Sequence, residues 1–149
     1  MKKTLIQTLI ISLFFISFNA TAEIKHIKDG NVDAKVKLVV FESLTCSHCG
    51  DFHRDIYPKL KTDFIDKNLI SIEYRNFPLD IAAFNAAKIA HCRNDGKSEI
   101  LHHLYNNQSS WVRGSTIEDL NKNLKRVVQE SGFKLDFDNC IANSKIEDF

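Results

Sequence analysis

The spacing of the hydrophobic residues along the sequence changes twice in the first half of the chain, from a strand pattern to a helix pattern and back. Val36–Glu42 is a short apolar run rich in β-branched residues, typical of a strand buried on both faces of a parallel sheet. From Ser47 to about Asp66 the apolar residues recur at helical spacing, which predicts an amphipathic helix kinked at Pro58. Alternation over residues 70–75 predicts a second strand. The pattern therefore indicates one βαβ unit with a right-handed crossover. The apolar stripe of its helix is predicted to consist of Cys49, Phe52, Ile56, Leu60 and Phe64.

The chain after Pro78 is predicted to be entirely helical. Its N-capping side chains are Asp80, Ser98, Thr116 and Asp136. We thus expect a βαβ unit in residues 23–78, with residues 23–34 irregular, and a helical unit in residues 79–149. Two parallel strands are too few to form a stable sheet on their own, so this outline lacks a strand. We expect Phe52, Phe64, Phe77 and Phe84 in the core, Trp111 capping the helical unit, and His91, His102 and His103 at the surface.

The first 22 residues have the pattern of a secretory signal peptide. Lys2 and Lys3 precede an apolar stretch, Leu5–Phe18, and the segment ends in the cleavage motif Ala20-Thr21-Ala22. A membrane-spanning helix needs about 20 apolar residues, so the alternative of a stable membrane anchor is disfavoured. We predict cleavage after Ala22 and a periplasmic location, where disulfides persist.

Charge and motifs exclude several classes of function. The chain has 149 residues and a net charge of +1, without a basic run, so no nucleic-acid partner is expected. Neither a P-loop nor a G-x-G-x-x-G motif is present, and no cofactor is predicted.

The motif Cys46-Ser47-His48-Cys49 lies where the first strand leads into the helix. A helix N-terminus offers free backbone N–H groups and a positive dipole end, and both stabilise a thiolate. Lowering a cysteine pKa from ~8.5 to ~4–5 requires roughly 5–6 kcal/mol, of which the dipole supplies at most ~2. We expect N–H groups near Cys49 and a cationic His48 to supply the rest. Cys46 is thus the predicted nucleophile, and Cys49 is the less exposed, resolving thiol.

Other readings of the same motif remain open. Cys46, Cys49 and His53 could hold a metal ion in a non-catalytic binding module, but a structural zinc site usually needs four ligands. A purely structural disulfide is disfavoured, because a stabilised thiolate weakens the bond. We therefore predict a redox pair and no metal site.

Three separated motifs carry a family resemblance. Val39–Phe52, the Phe77–Asp80 junction with its Ala-rich helix ending in Cys92, and Gln108–Trp111 resemble the DsbA-like thioredoxin family of exported thiol–disulfide oxidoreductases, in particular the alphaproteobacterial type. The resemblance implies an α/β thioredoxin-like fold with an inserted helical domain. It also implies that Cys46 is the nucleophile, Cys49 the resolving thiol and His48 the histidine that makes the disulfide more oxidising.

The chain departs from the family pattern at three places. Ser47 stands where proline is common, and serine can still cap the helix. Val40 occupies the position of the family's acid, and Glu42, on the same strand face, is a candidate proton acceptor. The family continues with a cis-proline loop, two strands and a helix, whereas both prolines here lie upstream. We accordingly expect a sheet incomplete at its C-terminal side, a C-terminal truncation, and poor folding and weak activity of this chain alone.

The second cysteine pair is predicted to be structural. In an exported protein, a bridge between Cys92 and Cys140 would contribute up to ~4 kcal/mol of stability, whereas two free buried cysteines are the alternative. In sum, the sequence predicts a disulfide donor to cysteine-containing exported polypeptides. The resemblance implies a membrane redox partner that reoxidises the protein. Disulfide isomerase and reductase roles remain open, and the redox potential discriminates among them.

Overall fold

The structure, a computed structural model, describes residues 23–147 and contains a three-stranded mixed sheet. The strands are β1 (Ile27–Gly30), β2 (Val36–Glu42) and β3 (Ile70–Asn76), in the order β1-β3-β2. β1 runs antiparallel to β3 and β2 runs parallel to it, with Val36 opposite Ile70 and Glu42 opposite Asn76. The predicted βαβ strands are confirmed. The predicted signal peptide lies outside the described residues, and none of the helices within 23–147 has the length and hydropathy to cross a bilayer.

β1 is the strand that the sequence outline lacked. The segment 23–34 was expected to be irregular because it is mostly polar, with Ile24, Ile27 and Val32 as its large apolar side chains. In the structure Ile27 is buried opposite Tyr74, and Lys28 forms a 2.8 Å ion pair with Glu73 of β3. A polar strand can form here because its partner strand supplies both the hydrogen bonds and the opposite charge.

The expectation that β2 is buried on both faces is wrong. β2 is an edge strand, and only Glu42 is fully buried in it. Val39 and Phe41 are 53% and 70% exposed. A continuous apolar run does not report how many neighbours a strand has, and this accounts for the error.

The predicted first helix is present as a continuous helical run, Ser47 to Ile65, here called α1. It alternates between α-helix (Ser47–Asp51, Tyr57–Leu60) and π-helix (Phe52–Ile56, Lys61–Ile65). The first π segment directly precedes Pro58, where the ring leaves no backbone N–H. Each π turn shifts the helical register, so the predicted stripe is wrong in part: Ile56 and Phe64 are exposed. The residues of α1 that are buried instead are Gly50, His53, Tyr57 and Ile65.

Every regular element after β3 in the described range is helical. Asp80, Thr116 and Asp136 accept the predicted capping bonds from Ala83, Asp119 and Asn139, whereas Ser98 makes no side-chain cap. Trp111 is fully buried, and its indole N–H donates to the Leu104 carbonyl at 3.0 Å. Phe77 is 62% exposed, which contradicts its assignment to the core. The helices are α2 (Ile81–His91), α3 (Glu99–Asn106), α4 (Gln108–Trp111), α5 (Ile117–Glu130), α6 (Phe137–Ala142) and a 3-10 turn (Ser144–Ile146).

Cys92 and Cys140 are joined by a disulfide, with their Cα atoms 5.4 Å apart. The bond ties the end of α2 to α6 across 48 positions of sequence. Replacing both cysteines with alanine is expected to lower the free energy of unfolding by about 2–4 kcal/mol, because a long loop is no longer closed in the unfolded chain. Urea denaturation of the variant and the parent, with Cys46 and Cys49 reduced in both, measures this loss. Four titratable thiols in the non-reduced chain would contradict the disulfide.

Candidate active site

Cys46 is the N-cap of α1, at the end of the loop that follows β2. Its sulfur accepts the backbone N–H of Cys49 at 3.4 Å, and its carbonyl accepts the N–H of Gly50 at 3.1 Å. The sulfur is only half-buried, so an incoming sulfur atom can reach it. A bond from the Cys49 thiol lowers the pKa of Cys46, and the backbone N–H groups of Cys49 and His48 lower it further. This site therefore favours a thiolate at Cys46.

The two residues between the cysteines act differently from expectation. Ser47 is exposed and is the first helical residue, because Cys46 itself occupies the cap. The His48 side chain is 95% exposed and lies 3.7 Å from a carboxylate oxygen of Asp51. His48 thus supports the Cys46 thiolate through its backbone N–H, and the expected contribution of a cationic imidazole to that thiolate is not seen in the structure.

Cys49 has the opposite electrostatic environment. Burial raises the pKa of the Cys49 thiol to about 11, and the neighbouring Cys46 sulfur and the Glu42 carboxylate raise it as well. A pair with one low and one high pKa can hold a thiolate and a thiol side by side. That is the state that a reduced dithiol must reach after a disulfide has been given away.

Gln108 holds the cysteine loop in place, a role that the sequence analysis did not assign to it. Its side-chain amide donates to the carbonyls of Leu44 and Cys46, each at 2.9 Å. Its Oε1 lies against Gly50, where an added Cβ would be only 2.4 Å away. The only hint of this role in the sequence was the Gln108–Trp111 motif. In the structure this motif forms α4, and Gln108 at its start fixes the loop that carries Cys46.

The same loop is tied to the start of α2. Thr45 donates its hydroxyl hydrogen to a carboxylate oxygen of Asp80 at 2.7 Å, while the other oxygen of Asp80 caps α2. Ser43 accepts the backbone N–H of Leu79 at 3.3 Å. The active-site loop is therefore bonded to the helical unit on two sides, through α2 and through α4.

Glu42 is buried behind the cysteine pair. Together with Cys49, Phe41 and Phe52 it lines a small apolar groove beside the active-site helix. The carboxyl group is 3% exposed, and burial raises its pKa to about 8. Glu42 Oε2 lies 2.8 Å from His53 Nε2, and the Tyr105 hydroxyl also acts on the carboxyl group and lowers its pKa, against the larger effect of burial. The buried acid lies close to Cys49, as the sequence hypothesis requires of a proton acceptor.

His53 does not join the cysteines, so the alternative of a metal site with Cys46 and Cys49 finds no support. Its two ring nitrogens face Glu42 and His102, and within residues 23–147 no three His, Cys, Asp or Glu side chains form a metal-binding group. His102, expected at the surface, instead lies between His53 and Asp29.

The other two histidines that were expected at the surface, His91 and His103, contact other parts of the protein. His91 is buried, contrary to expectation, and its Nε2 lies 2.7 Å from the side-chain amide of Asn76. His103 is half-buried, with Nε2 3.3 Å from the carbonyl of Val127. Neither contacts the cysteine pair. The sequence spacing of the histidines did not indicate that neighbouring helices would cover their imidazole rings.

A family model described as thioredoxin matches residues 22–149. The chain belongs to the thioredoxin family. The fold is shared by crystallised alpha-DsbA1 of Wolbachia pipientis, with a TM-score of 0.73 and 32% identity, over 83% of this chain and 62% of that one. This similarity makes the chain a DsbA-like thioredoxin, as its motifs predicted. A protein-disulfide isomerase structure from Novosphingobium aromaticivorans shares the fold at a TM-score of 0.68 and 22% identity, over 82% of this chain and 74% of that one.

Sequence relatives of this thioredoxin point the same way. A Rickettsia bellii protein whose assigned name is protein-disulfide oxidoreductase is 31% identical over 78% of this chain. Disulfide bond formation protein D of Bacillus subtilis is 40% identical over 32% of this chain and 21% of its own length. The chain spans 45% of the length of the Rickettsia bellii relative.

Proposed function

We propose that this chain is a periplasmic thiol–disulfide oxidoreductase that donates a disulfide to folding polypeptides. The observation that carries the proposal is the unequal pair at the start of α1: a half-exposed Cys46 with a lowered pKa and a Cys49 with a pKa of about 11. Stabilising the Cys46 thiolate stabilises the reduced form, and this makes the disulfide a stronger oxidant.

The exchange takes place in two steps. A substrate thiolate attacks the Cys46 sulfur of the oxidised pair, so that the Cys46–Cys49 bond breaks and Cys49 leaves as a thiolate. A second substrate thiolate then attacks the substrate sulfur of the mixed disulfide, and Cys46 leaves as a thiolate. The substrate dithiol is oxidised to a disulfide and the protein disulfide is reduced. Cys46 is the good leaving group because its pKa is low.

Glu42 is the proposed proton donor to Cys49 in the first step and the acceptor in the reverse reaction. Both side chains line the same groove, and the Glu42 charge acts on the Cys49 thiol. With a pKa of about 8 the carboxyl group holds a proton at neutral pH. Proton transfer moves the negative charge from the Cys49 thiolate, whose thiol has a pKa of about 11, to the Glu42 carboxylate, whose acid has a pKa of about 8, and is therefore favourable.

The surface around Cys46 suits an unfolded polypeptide. Phe41, Phe77, Leu79 and Ile81 are all more than half exposed on the β2 edge and on the segment leading into α2. Apolar side chains presented together usually mark a binding surface. The expected substrates are therefore cysteine-containing exported polypeptides before they have buried their own apolar residues. The resemblance supports a membrane protein as the partner that reoxidises the pair.

The redox potential and a direct transfer assay test the proposal. Equilibration of the full chain with glutathione is expected to give a Cys46–Cys49 potential above about −200 mV, the range of oxidants rather than of thioredoxin-type reductases. The oxidised chain should also transfer one disulfide per molecule to a reduced, unfolded protein. A potential near about −270 mV would indicate a reductase. Repair of a scrambled disulfide protein without net oxidation would indicate an isomerase.

A further inference from the structure

A row of four hydrogen-bonding side chains leads from Glu42, beside the cysteine pair, to Asp29 on the strand at the opposite edge of the sheet. Glu42 Oε2 lies 2.8 Å from His53 Nε2, His53 Nδ1 lies 2.9 Å from His102 Nδ1, and His102 Nε2 lies 2.8 Å from Asp29 Oδ2. These residues belong to four elements, β2, α1, α3 and β1. We call them the Glu42–Asp29 row.

Counting hydrogens in this row fixes its protonation. The row has three contacts, and each needs one hydrogen between its two heavy atoms. Two ionised carboxylates and two neutral imidazoles carry only two hydrogens, so one contact would then bring two lone pairs together. All three contacts are satisfied only when the row holds one additional proton. That proton can formally reside on any of the four groups, because shifting the intervening hydrogens restores every bond.

The surroundings restrict where the additional proton resides. Although burial opposes it, hydrogen bonds from His102, Ser98 and Tyr74 lower the pKa of Asp29 to about 2, so Asp29 stays ionised. Burial and the charge of His102 lower the pKa of His53 to about 3, so His53 stays neutral. The two remaining positions are Glu42 and His102.

We propose that Glu42 and His102 share a single proton, which His53 passes between them by exchanging one ring tautomer for the other. When Glu42 holds the proton, His53 carries its hydrogen on Nδ1 and donates it to His102. When His102 holds it, His53 carries its hydrogen on Nε2 and donates it to Glu42, and the cationic His102 faces the Asp29 carboxylate. No atom other than hydrogen moves, and no net charge enters or leaves the row.

This inference rests on the proposed function for its purpose, the supply of a proton to Cys49. Glu42 and His53 are almost completely buried, at 2% and 0% side-chain exposure, whereas Asp29 and His102 are 14% and 15% exposed. The outer end of the row can thus exchange a proton with water while the inner end stays dry. In this arrangement Glu42 acts on Cys49, and His53, His102 and Asp29 are positioning residues that act through Glu42.

The other titratable groups that face the two imidazoles are tyrosines. Tyr57 stacks on His102 with ring centres 4.0 Å apart, and Tyr105 stacks on His53 at 3.9 Å. Tyr74 lies between the two histidines and donates its hydroxyl hydrogen to Asp29 at 2.9 Å. Burial raises the pKa of all three tyrosines, so they remain neutral. Tyr105 also faces the Glu42 carboxyl group at the inner end of the row.

The test follows this proton in the reduced full chain, where no turnover is needed. The infrared C=O stretch of protonated Glu42 is identified by its loss in Glu42→Gln, and ¹⁵N resonances of the histidine rings report the charge of His102. One shared proton predicts that both signals titrate with the same midpoint. Different midpoints for the two signals would overturn the proposal.

Two neighbouring histidines provide a matched pair of variants. His102→Gln removes the second proton position and the charge that lowers the pKa of Glu42, so the Glu42 C=O band at pH 8, where the parent carboxyl group is about half protonated, is expected to grow by up to about twofold. His103→Gln alters the adjacent residue, which faces the Val127 carbonyl outside the row, and should leave the band unchanged. An unchanged band in His102→Gln, or equal growth in both, would reject the shared proton.

The wild-type titration also stands if His102→Gln fails to fold. If the chain transfers no disulfide but both signals share one midpoint, the proposed function is wrong and the shared proton is supported. If the chain transfers disulfides but the two midpoints differ, the proposed function is supported and the shared proton is wrong.

Discussion

Replacing Cys46 with serine is expected to abolish disulfide transfer, with a loss of at least about a hundredfold in rate, because the hydroxyl cannot form the mixed disulfide. Cys49→Ser should behave differently. It keeps the exposed, low-pKa sulfur but lacks the resolving thiol, so it should accumulate a mixed disulfide with a cysteine-containing peptide. Mass spectrometry of the non-reduced products distinguishes the two variants.

A matched control comes from the other cysteine pair. The Cys92→Ala/Cys140→Ala variant, assayed where it remains folded, should transfer disulfides at the parent rate because its bridge lies between α2 and α6, away from Cys46. In the reduced parent at pH 7, alkylation should modify Cys46 well before Cys49, because the Cys49 thiol has a pKa of about 11. Trapping of substrate on Cys49 in Cys46→Ser, with none on Cys46 in Cys49→Ser, would reverse the assigned roles.

Glu42→Gln is expected to make the protein more stable at alkaline pH. The folded-state pKa of Glu42, about 8, lies above the ordinary value of 4.5, so the folded chain binds more protons than the unfolded chain between these values. Stability therefore falls as pH rises through this window, and the full cost above pH 8 is on the order of 5 kcal/mol. Removing the carboxyl group removes this cost. Urea denaturation at pH 5, 7 and 9 should show a gain that grows with pH.

The acid side of the stability profile is expected to depend on His53. Its folded-state pKa, about 3, lies below the ordinary value of 6.5, so the unfolded chain binds more protons between these values and the His53 contribution to stability falls as pH drops below 6.5. The two slopes nearly cancel between pH 4.5 and 6.5, so the parent should be most stable across this window. Glu42→Gln should instead gain stability up to about pH 6.5 and lose the alkaline decline. Glu118→Gln, at an exposed position in the first turn of α5, is the control and should shift the whole profile by a few tenths of a kcal/mol at most. A parent profile that is flat from pH 6.5 to 9 would show that Glu42 ionises normally.

Local patterns predicted the parts of the fold that depend on neighbouring residues in sequence. The spacing of apolar residues correctly predicted β2 and β3 as strands and α1 as a helix, and three of the four predicted N-caps form side-chain hydrogen bonds. The helical stripe of α1 failed where π turns interrupt the regular period, and no sequence signal other than Pro58 marked them. β1 was missed because a polar strand is recognisable only beside its partner.

The candidate site, too, could be predicted only where it depends on residues that are neighbours in sequence. The sequence by itself placed Cys46 and Cys49 at a strand-to-helix junction, because the change in the spacing of apolar residues along the chain shows where the strand ends and the helix begins. Only the tertiary structure decided that Gln108 holds this junction and that Glu42, His53, His102 and Asp29 lie in one row. These residues come from distant positions in the chain, so the packing of α1 and α3 on the sheet brings them together. Burial then sets the pKa of Glu42 and His53, since the loss of water around a charge depends on tertiary packing.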